Sequence, residues 1–219
     1  MDNPLVLALI GTTFSFLGTV VGSGMVFFVK KDLNMVTHKA FLGFASGVMI
    51  AASIWSLLLP SMSMAEEQGT IKWLPAAIGF VVGGGFLYLL DKILPHMHVG
   101  ADRPEGVRSS FRRTTMLVFA VTLHNIPEGM AVGLAFALAA KNNSSASLAG
   151  AIALAAGMAL QNFPEGATIS LPLKNEGCSR MKSFIYGALS GIVEPIAGVI
   201  GVILALTVIH IMPFMLAFA

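Results

Sequence analysis

Long apolar stretches alternate with short polar segments along the whole chain. Six of these stretches are long enough to cross a bilayer, since a spanning helix needs about 20 apolar residues. They cover roughly 5–29, 39–59, 74–94, 115–140, 146–173 and 184–210, and a seventh begins near Pro213. The pattern predicts an all-α membrane protein, a polytopic helical bundle with six complete spans and the start of a seventh.

The composition agrees with a chain that lies in lipid. Hydrophobic residues make up 56% of the 219 residues and charged residues 11%, whereas soluble domains carry about 25% charged residues. No soluble segment of domain size interrupts the apolar stretches. We therefore expect residues 1–219 to form a single transmembrane domain whose C-terminal end is truncated. A net charge of only +2 gives no reason to expect a nucleic-acid partner.

The basic residues predict the orientation of the chain. With the N-terminus outside, the inner loops and helix ends hold eleven of the thirteen Lys and Arg residues, and only Lys72 and Lys141 lie outside. Cytoplasmic loops of membrane proteins carry such an excess of Lys and Arg. We predict a multi-pass protein of the cell membrane (inner or plasma membrane) with its N-terminus outside.

Three acidic residues, Glu128, Glu165 and Glu194, lie near the middle of predicted spans. A carboxylate at the bilayer centre costs at least about 2.5 kcal/mol, and no Lys or Arg lies at matching depth in any span. This cost must be offset either by protonation of the carboxyl groups or by a bound metal cation. The residues around the glutamates favour the cation.

The neighbours of two of these glutamates form a repeated motif. The fourth span contains H-N-I-P-E-G at 124–129, and the fifth contains Q-N-F-P-E-G at 161–166. Residues four apart share a helix face, so the first and fifth residues of each motif point the same way. Imidazole nitrogen with carboxylate oxygen suits zinc and its first-row neighbours. The predicted ligands from the motifs are His124, Asn125 and Glu128 in one span, and Gln161, Asn162 and Glu165 in the next.

Each motif places a proline inside its helix. A proline cannot donate to the carbonyl four residues earlier, so Pro127 and Pro164 should kink the fourth and fifth helices beside the site. Transporters place their substrates at broken helices near the midplane. Because the two motifs lie on consecutive and hence antiparallel spans, we expect inverted pseudo-symmetry about an axis in the membrane plane.

The second span offers a weaker feature on one helix face, which carries Ser46, Met49, Ser53 and Ser56. This face is either a serine-lined packing seam or one wall of a metal pathway, with Met49 as a soft extra ligand.

A basic loop after the third span holds a histidine pair, His96 and His98, close to Asp91. These residues are either solvated or receive metal on the cytoplasmic side.

The segments LHNIPEG and LQNFPEG resemble the fourth- and fifth-helix signatures of the ZIP family, the zinc- and iron-regulated-transporter-like proteins. The stretches GFASGVMIAASIWSLLLP, LPHMH and GALSGIVEPIAG resemble its compact prokaryotic branch, so the resemblance covers essentially the whole chain. It implies an eight-helix bundle with both termini outside. This chain ends shortly after its seventh span begins, so it is either a fragment or lacks the last two helices.

The resemblance also implies a centre for two metal ions. One ion would be held by His124, Glu128, Gln161 and Glu165, with Met49 nearby. The second would be held by Asn125, Glu128, Asn162, Glu165 and Glu194. Family members with Asp at position 162 would bind the second ion more firmly than this chain, which has Asn162.

Together these features predict a transporter that moves a divalent metal ion into the cytoplasm. Zinc is the first choice of cargo, with Fe²⁺, Mn²⁺, Cd²⁺ and Co²⁺ as alternatives, and we expect no prosthetic group. An intramembrane metalloenzyme or a metal-binding or sensing membrane protein stays open as an alternative. We expect no enzyme, because H-E-x-x-H is absent and no Ser or Cys nucleophile is paired with a base. The expected partners are the metal ion and the lipid bilayer, and a homodimer is left open.

Overall fold

A computed structural model describes residues 3–29, 35–93, 113–142, 145–207 and 209–219. All regular structure in these ranges is helical, as the apolar pattern predicted. The helices in chain order are α1 Pro4–Phe28, α2 Met35–Ala51, a π-helical segment Ala52–Leu58, α3 Leu59–Glu67, α4 Leu74–Ile93, α5 Arg113–Asn142, α6 Ser145–Asn175, α7 Arg180–Ser190, α8 Val193–Thr207, a 3₁₀ turn Ile209–Ile211 and α9 Met212–Phe218.

Several of these helices can cross a membrane. Among the described residues, three stretches are both long and apolar enough: Pro4–Phe28, Ser46–Glu67 and Arg180–Thr207. Leu74–Leu89 is a shorter apolar helix. The helices α5 and α6 have 30 and 31 residues, and the polar motifs interrupt their apolar sequence. The exact number of spans stays a prediction.

The second predicted span is longer than its apolar run. Helix α2, the π-helical segment and α3 follow one another without a break as far as Glu67, whereas the apolar run ends near residue 59. Gly69 ends this rod with a φ of 71°, a left-handed conformation that glycine adopts without steric cost at helix C-termini. The polar residues that follow the apolar run, as far as Glu67, are therefore helical.

The sixth predicted span is two helices rather than one. A turn at Gly191 and Ile192 separates α7 from α8. Pro195 explains the break, because its ring would clash with the carbonyl of Gly191 in a continuous helix and it has no N–H to donate there. By contrast, α5 and α6 continue through Pro127 and Pro164.

Glycines bring two pairs of helices into backbone contact. A Cβ on Gly22 in α1 would overlap the carbonyl oxygen of Phe163 in α6. A Cβ on Gly133 in α5 would likewise overlap the carbonyl oxygen of Gly198 in α8. Small residues allow such close approach in membrane bundles. The motif helices α5 and α6 also contact each other, and α1 contacts α8, so these four helices pack as one group.

Helix α1 turns its polar face inward and its apolar face outward. The inward face carries Thr12, Ser15, Thr19 and Ser23, all fully buried. On the other side Ile10, Phe14 and Val21 are exposed, as expected for a helix whose outer face meets lipid tails. The hydroxyl groups of α1 therefore lie against the motif helices.

Candidate metal centre

The predicted ligands meet where α5, α6 and the first turn of α8 pack together. Gln161 Nε2 donates to Glu128 Oε1 at 2.6 Å and to Asn162 Oδ1 at 2.8 Å. Asn162 Nδ2 donates to both carboxylate oxygens of Glu194, at 2.9 and 3.0 Å. All four side chains are buried. Glu128, the adjacent pair Gln161 and Asn162, and Glu194 thus form one hydrogen-bonded chain across three helices.

Hydrogen-bond donors surround the Glu194 end of this chain. Ser15 Oγ in α1 donates to Glu194 Oε2 at 2.5 Å, and Thr19 Oγ1 approaches Oε1 at 3.5 Å, which is long for such a bond. Glu194 also lies in the first turn of α8, where the helix dipole favours a negative charge. This carboxylate is fully buried and both of its oxygens have donors.

The His124–Glu128 end is open by comparison. His124 Nε2 lies 3.8 Å from Glu128 Oε1, too far for a hydrogen bond, and the imidazole is 49% exposed. Glu128 Oε2 is buried and has no hydrogen-bond partner among the described residues. The two side chains line a cavity of about 290 Å³ together with Met49 and Ser53. A cation could therefore reach this pair without displacing other groups from Glu128 Oε2.

Asn125 and Glu165 lie beside this series of hydrogen-bonded side chains, and each also has an oxygen without a hydrogen-bond partner among the described residues. Asn125 Nδ2 donates to the carbonyl oxygen of Ser190 at the end of α7, at 3.2 Å. Its Oδ1 and Glu165 Oε1 are buried without a partner in the described ranges. Buried polar atoms are nearly always hydrogen-bonded. Of the five exceptions in the described part of the chain, three are predicted ligand oxygens, those of Asn125, Glu128 and Glu165.

The arrangement differs from a loaded metal site in two respects. Gln161 presents its nitrogen to Glu128, so its amide must turn over before the oxygen can bind a cation. In addition, no three His, Cys, Asp or Glu side chains of the described residues lie close enough together to hold one ion.

Sequence reasoning missed the contribution of α1. Ser15 and Thr19 both reach Glu194, although no motif marks them. A signal was available, because the hydroxyl residues at 12, 15, 19 and 23 are spaced by three, four and four, which places them on one helix face. The π-helical segment beside the cavity was missed too. Such segments are frequent at functional sites, but the sequence gives no sign of this one.

Part of the predicted cytoplasmic-side site lies outside the described residues. This applies to His96, His98 and the side chain of Asp91. Met49, by contrast, lines the cavity beside His124, and its role as a ligand stays a prediction.

Comparison with known proteins identifies the family. Residues 100–219, which include both motifs and Glu194, match the family described as ZIP Zinc transporter. Zinc transporter ZIP11 of Xenopus tropicalis is 35% identical over 99% of this chain and 85% of its own length. Zinc transporter GufA of Myxococcus xanthus is 30% identical over 92% of this chain and 78% of its own. Zinc transporter ZIPB of Bordetella bronchiseptica is 34% identical over 89% of this chain and 62% of its own length.

These relatives confirm the resemblance carried by LHNIPEG and LQNFPEG. They are named as transporters and not as enzymes, in agreement with the absence of catalytic motifs. The match covers nearly the whole chain in each case, and it includes the helices that form the polar cluster. The chain belongs to the ZIP family of zinc transporters.

Proposed function

We propose that this protein carries a divalent metal ion, zinc before other ions, across a cell membrane and into the cytoplasm. The relatives are named as zinc transporters. The residues of the candidate site offer imidazole nitrogen, carboxylate oxygen and thioether sulfur, a set suited to zinc and neighbouring first-row ions. Fe²⁺, Mn²⁺, Cd²⁺ and Co²⁺ are alternative cargoes.

One observation carries the proposal: a buried carboxylate oxygen, Glu128 Oε2, lacks a partner beside the half-exposed imidazole of His124 at the edge of a cavity. An unpaired buried acceptor is costly, and a cation is a partner that both groups accept. Met49 lines the same cavity and can add a soft ligand. We propose that His124 and Glu128 bind the cargo first, and that Gln161 and Glu165 complete its coordination.

The second predicted position is less favourable for a cation. Asn162 supplies an amide where a carboxylate would add charge, so two divalent ions would place +4 against the −3 of Glu128, Glu165 and Glu194. The Asn162 amide also already donates to Glu194. We propose that the wild-type chain carries one tightly bound ion, and that a second ion binds weakly.

The setting of the site completes the proposal. We infer a single transmembrane domain over residues 1–219, with the N-terminus outside in a plasma or inner membrane, as the distribution of Lys and Arg predicts. Close packing of α1 on α6 and of α5 on α8 supports an inverted pseudo-symmetry that relates the two motif helices. Asp91, His96 and His98 receive the ion on the cytoplasmic side, and assembly as a homodimer is compatible with this arrangement.

The test is uptake by the purified protein in sealed proteoliposomes that contain a fluorescent zinc indicator. We expect saturable zinc entry with wild-type protein and none with Glu128→Ala, whereas Glu66→Ala, which removes an exposed carboxylate paired with Lys72, serves as the matched control. Stoichiometric binding without uptake would favour the sensor or storage alternative. Turnover of an added substrate that depends on bound metal would favour an intramembrane metalloenzyme. Either result would contradict the proposed transport.

A further inference from the structure

The hydroxyl groups on the inner face of α1 do not all have the same kind of partner. Thr12 Oγ1 donates to the carbonyl oxygen of Ala8 at 2.7 Å, within its own helix. Ser23 Oγ donates to the carbonyl oxygen of Gly166 in α6 at 3.2 Å. These two bonds are structural contacts with the backbone. Ser15, between them, donates to a carboxylate instead.

Ser15 contacts both residues that distinguish the second predicted metal position. Its Oγ donates to Glu194 Oε2 at 2.5 Å and accepts from Asn162 Nδ2 at 3.0 Å. Its carbonyl oxygen accepts from the same amide at 3.2 Å. All three side chains are fully buried, and hydrogen bonds to a carboxylate in such surroundings are short and strong. One residue of α1 thus ties α6 and α8 together.

These contacts also fix the direction of the Asn162 amide. Gln161 donates to Asn162 Oδ1 at 2.8 Å, so the oxygen of Asn162 is occupied and its nitrogen turns toward Ser15 and Glu194. The reverse orientation would place an amide oxygen against a carboxylate and leave the Ser15 carbonyl without this donor. Ser15 therefore stabilises the orientation in which Asn162 offers hydrogen atoms, and not a lone pair, to this position.

We propose that Ser15 is a positioning residue that holds Glu194 against α1 and thereby restricts the site to one tightly bound metal ion. This inference rests on the proposed metal binding at His124 and Glu128. A cation that approaches Glu194 must displace the donors from Ser15 and Asn162, and each displaced donor loses a charge-assisted bond. The protein thus disfavours a second ion in two ways: Ser15 of α1 donates to Glu194, and position 162 lacks a carboxylate.

The test is a zinc-binding isotherm of purified protein in detergent, with bound metal counted by elemental analysis. Ser15→Ala removes one donor from Glu194, so we expect the second equivalent of zinc to bind about tenfold more tightly than in wild type. The first equivalent should keep its affinity within about threefold. Ser15→Thr retains the hydroxyl group and should restore wild-type binding of the second equivalent. In proteoliposomes, Ser15→Ala should lower both KM and the maximal rate of uptake, because an ion held by the released Glu194 leaves more slowly.

Two variants on the same face of α1 provide matched controls. Thr12→Val and Ser23→Ala each remove a buried hydroxyl whose hydrogen bonds within the described ranges go to backbone carbonyls, and both should leave the second equivalent unchanged. Equal second-equivalent affinity in Ser15→Ala and Ser23→Ala would overturn the proposal. If Ser15→Ala cannot be recovered as folded protein, Ser15→Cys keeps the volume with a much weaker donor and is judged by the same criterion.

These results are separable from the proposed transport. Absence of any first-equivalent binding in wild type would contradict the proposed function itself. A normal first equivalent with an unchanged second equivalent in Ser15→Ala would contradict only the role of Ser15.

Discussion

The two ends of the buried polar chain belong to the same hydrogen-bonded network but differ in how their carboxylates are satisfied. At one end, Glu194 receives donors from Ser15 and Asn162 and has no exposed surface. At the other end, Glu128 keeps one oxygen unpaired next to a half-exposed His124 and a cavity. The protein itself supplies hydrogen-bond donors to both oxygens of Glu194, whereas one oxygen of Glu128 is left for a ligand.

This difference shows how a membrane protein can hold several carboxylates in one cluster without a Lys or Arg partner among its described residues. Amide and hydroxyl donors replace a cation at Glu194, because a carboxylate that accepts several hydrogen bonds is stabilised without a counter-charge. At Glu128, Gln161 is the donor that the described residues supply, and we propose that the cargo supplies the remaining stabilisation. The comparison leads to four predictions, ordered by the size of the expected effect.

Loss of the open carboxylate should have the largest effect. Glu128→Ala removes a ligand common to both predicted ions, and we expect uptake to fall by at least about a hundredfold. The measurement is the initial rate of zinc entry into proteoliposomes. Glu194→Gln is the matched variant at the closed end, where we expect the rate of zinc entry to stay within about tenfold of wild type. Equal losses in the two variants would show that the ends do not differ.

Loss of the imidazole should weaken binding without removing it. In His124→Ala the carboxylate of Glu128 is retained but the nitrogen ligand is gone, so we expect zinc affinity to drop by at least about tenfold, or ~1.4 kcal/mol. Isothermal titration of the purified variant measures this. His210→Ala, which alters an exposed histidine away from the cavity, is the control. Unchanged zinc affinity in His124→Ala would mean that the cargo binds elsewhere.

A carboxylate at position 162 should convert the closed end into a metal position. Asn162→Asp removes the amide donors and raises the ligand charge to −4, so we expect bound zinc to increase toward two ions per chain and turnover to fall. The first site, at His124, should keep its affinity within about tenfold, or ~1.4 kcal/mol. Elemental analysis of wild type and variant at matched free zinc tests this. Two tightly bound ions in wild type would contradict the claim that the missing charge at Asn162 disfavours a second ion.

The cytoplasmic loop should contribute least to binding at the midplane. Joint replacement of His96 and His98 by Ala should slow metal release or alter its regulation, while zinc binding at Glu128 stays within about twofold. Release is followed by stopped-flow dilution of zinc-loaded protein into a chelator. Loss of all bound zinc in the double variant would make the loop the primary site and reverse the order proposed here.

Much of the fold and most residues of the polar cluster could be predicted from the sequence. Apolar runs locate helices because lipid requires them to be long and continuous. The repeated N-x-P-E-G motif predicts that α5 and α6 meet, and the four-residue spacing of His124 and Glu128 puts both on one face. Glu194 stands out as a carboxylate in mid-span, and it does join the cluster.

The hydrogen bonds within the cluster depend on contacts between helices that no local sequence pattern encodes. Ser15 is one of several hydroxyl residues in an apolar helix, and it gains its role because Gly18 and Gly22 allow α1 to approach α6. The direction of the Gln161 and Asn162 amides is set jointly by residues of three helices. Pro195 could have predicted the break between α7 and α8, since Pro127 and Pro164 were already expected to disturb their helices.

The most direct test of the central claim is the position of the bound ion. Crystals of zinc-loaded wild-type protein, measured at the zinc absorption edge, should give one strong anomalous peak within coordination distance of His124 Nε2 and a Glu128 oxygen, about 2.0–2.2 Å from each. No peak of comparable height should lie at Glu194. An equally strong peak at Glu194, or a single peak there with none at His124, would contradict the account.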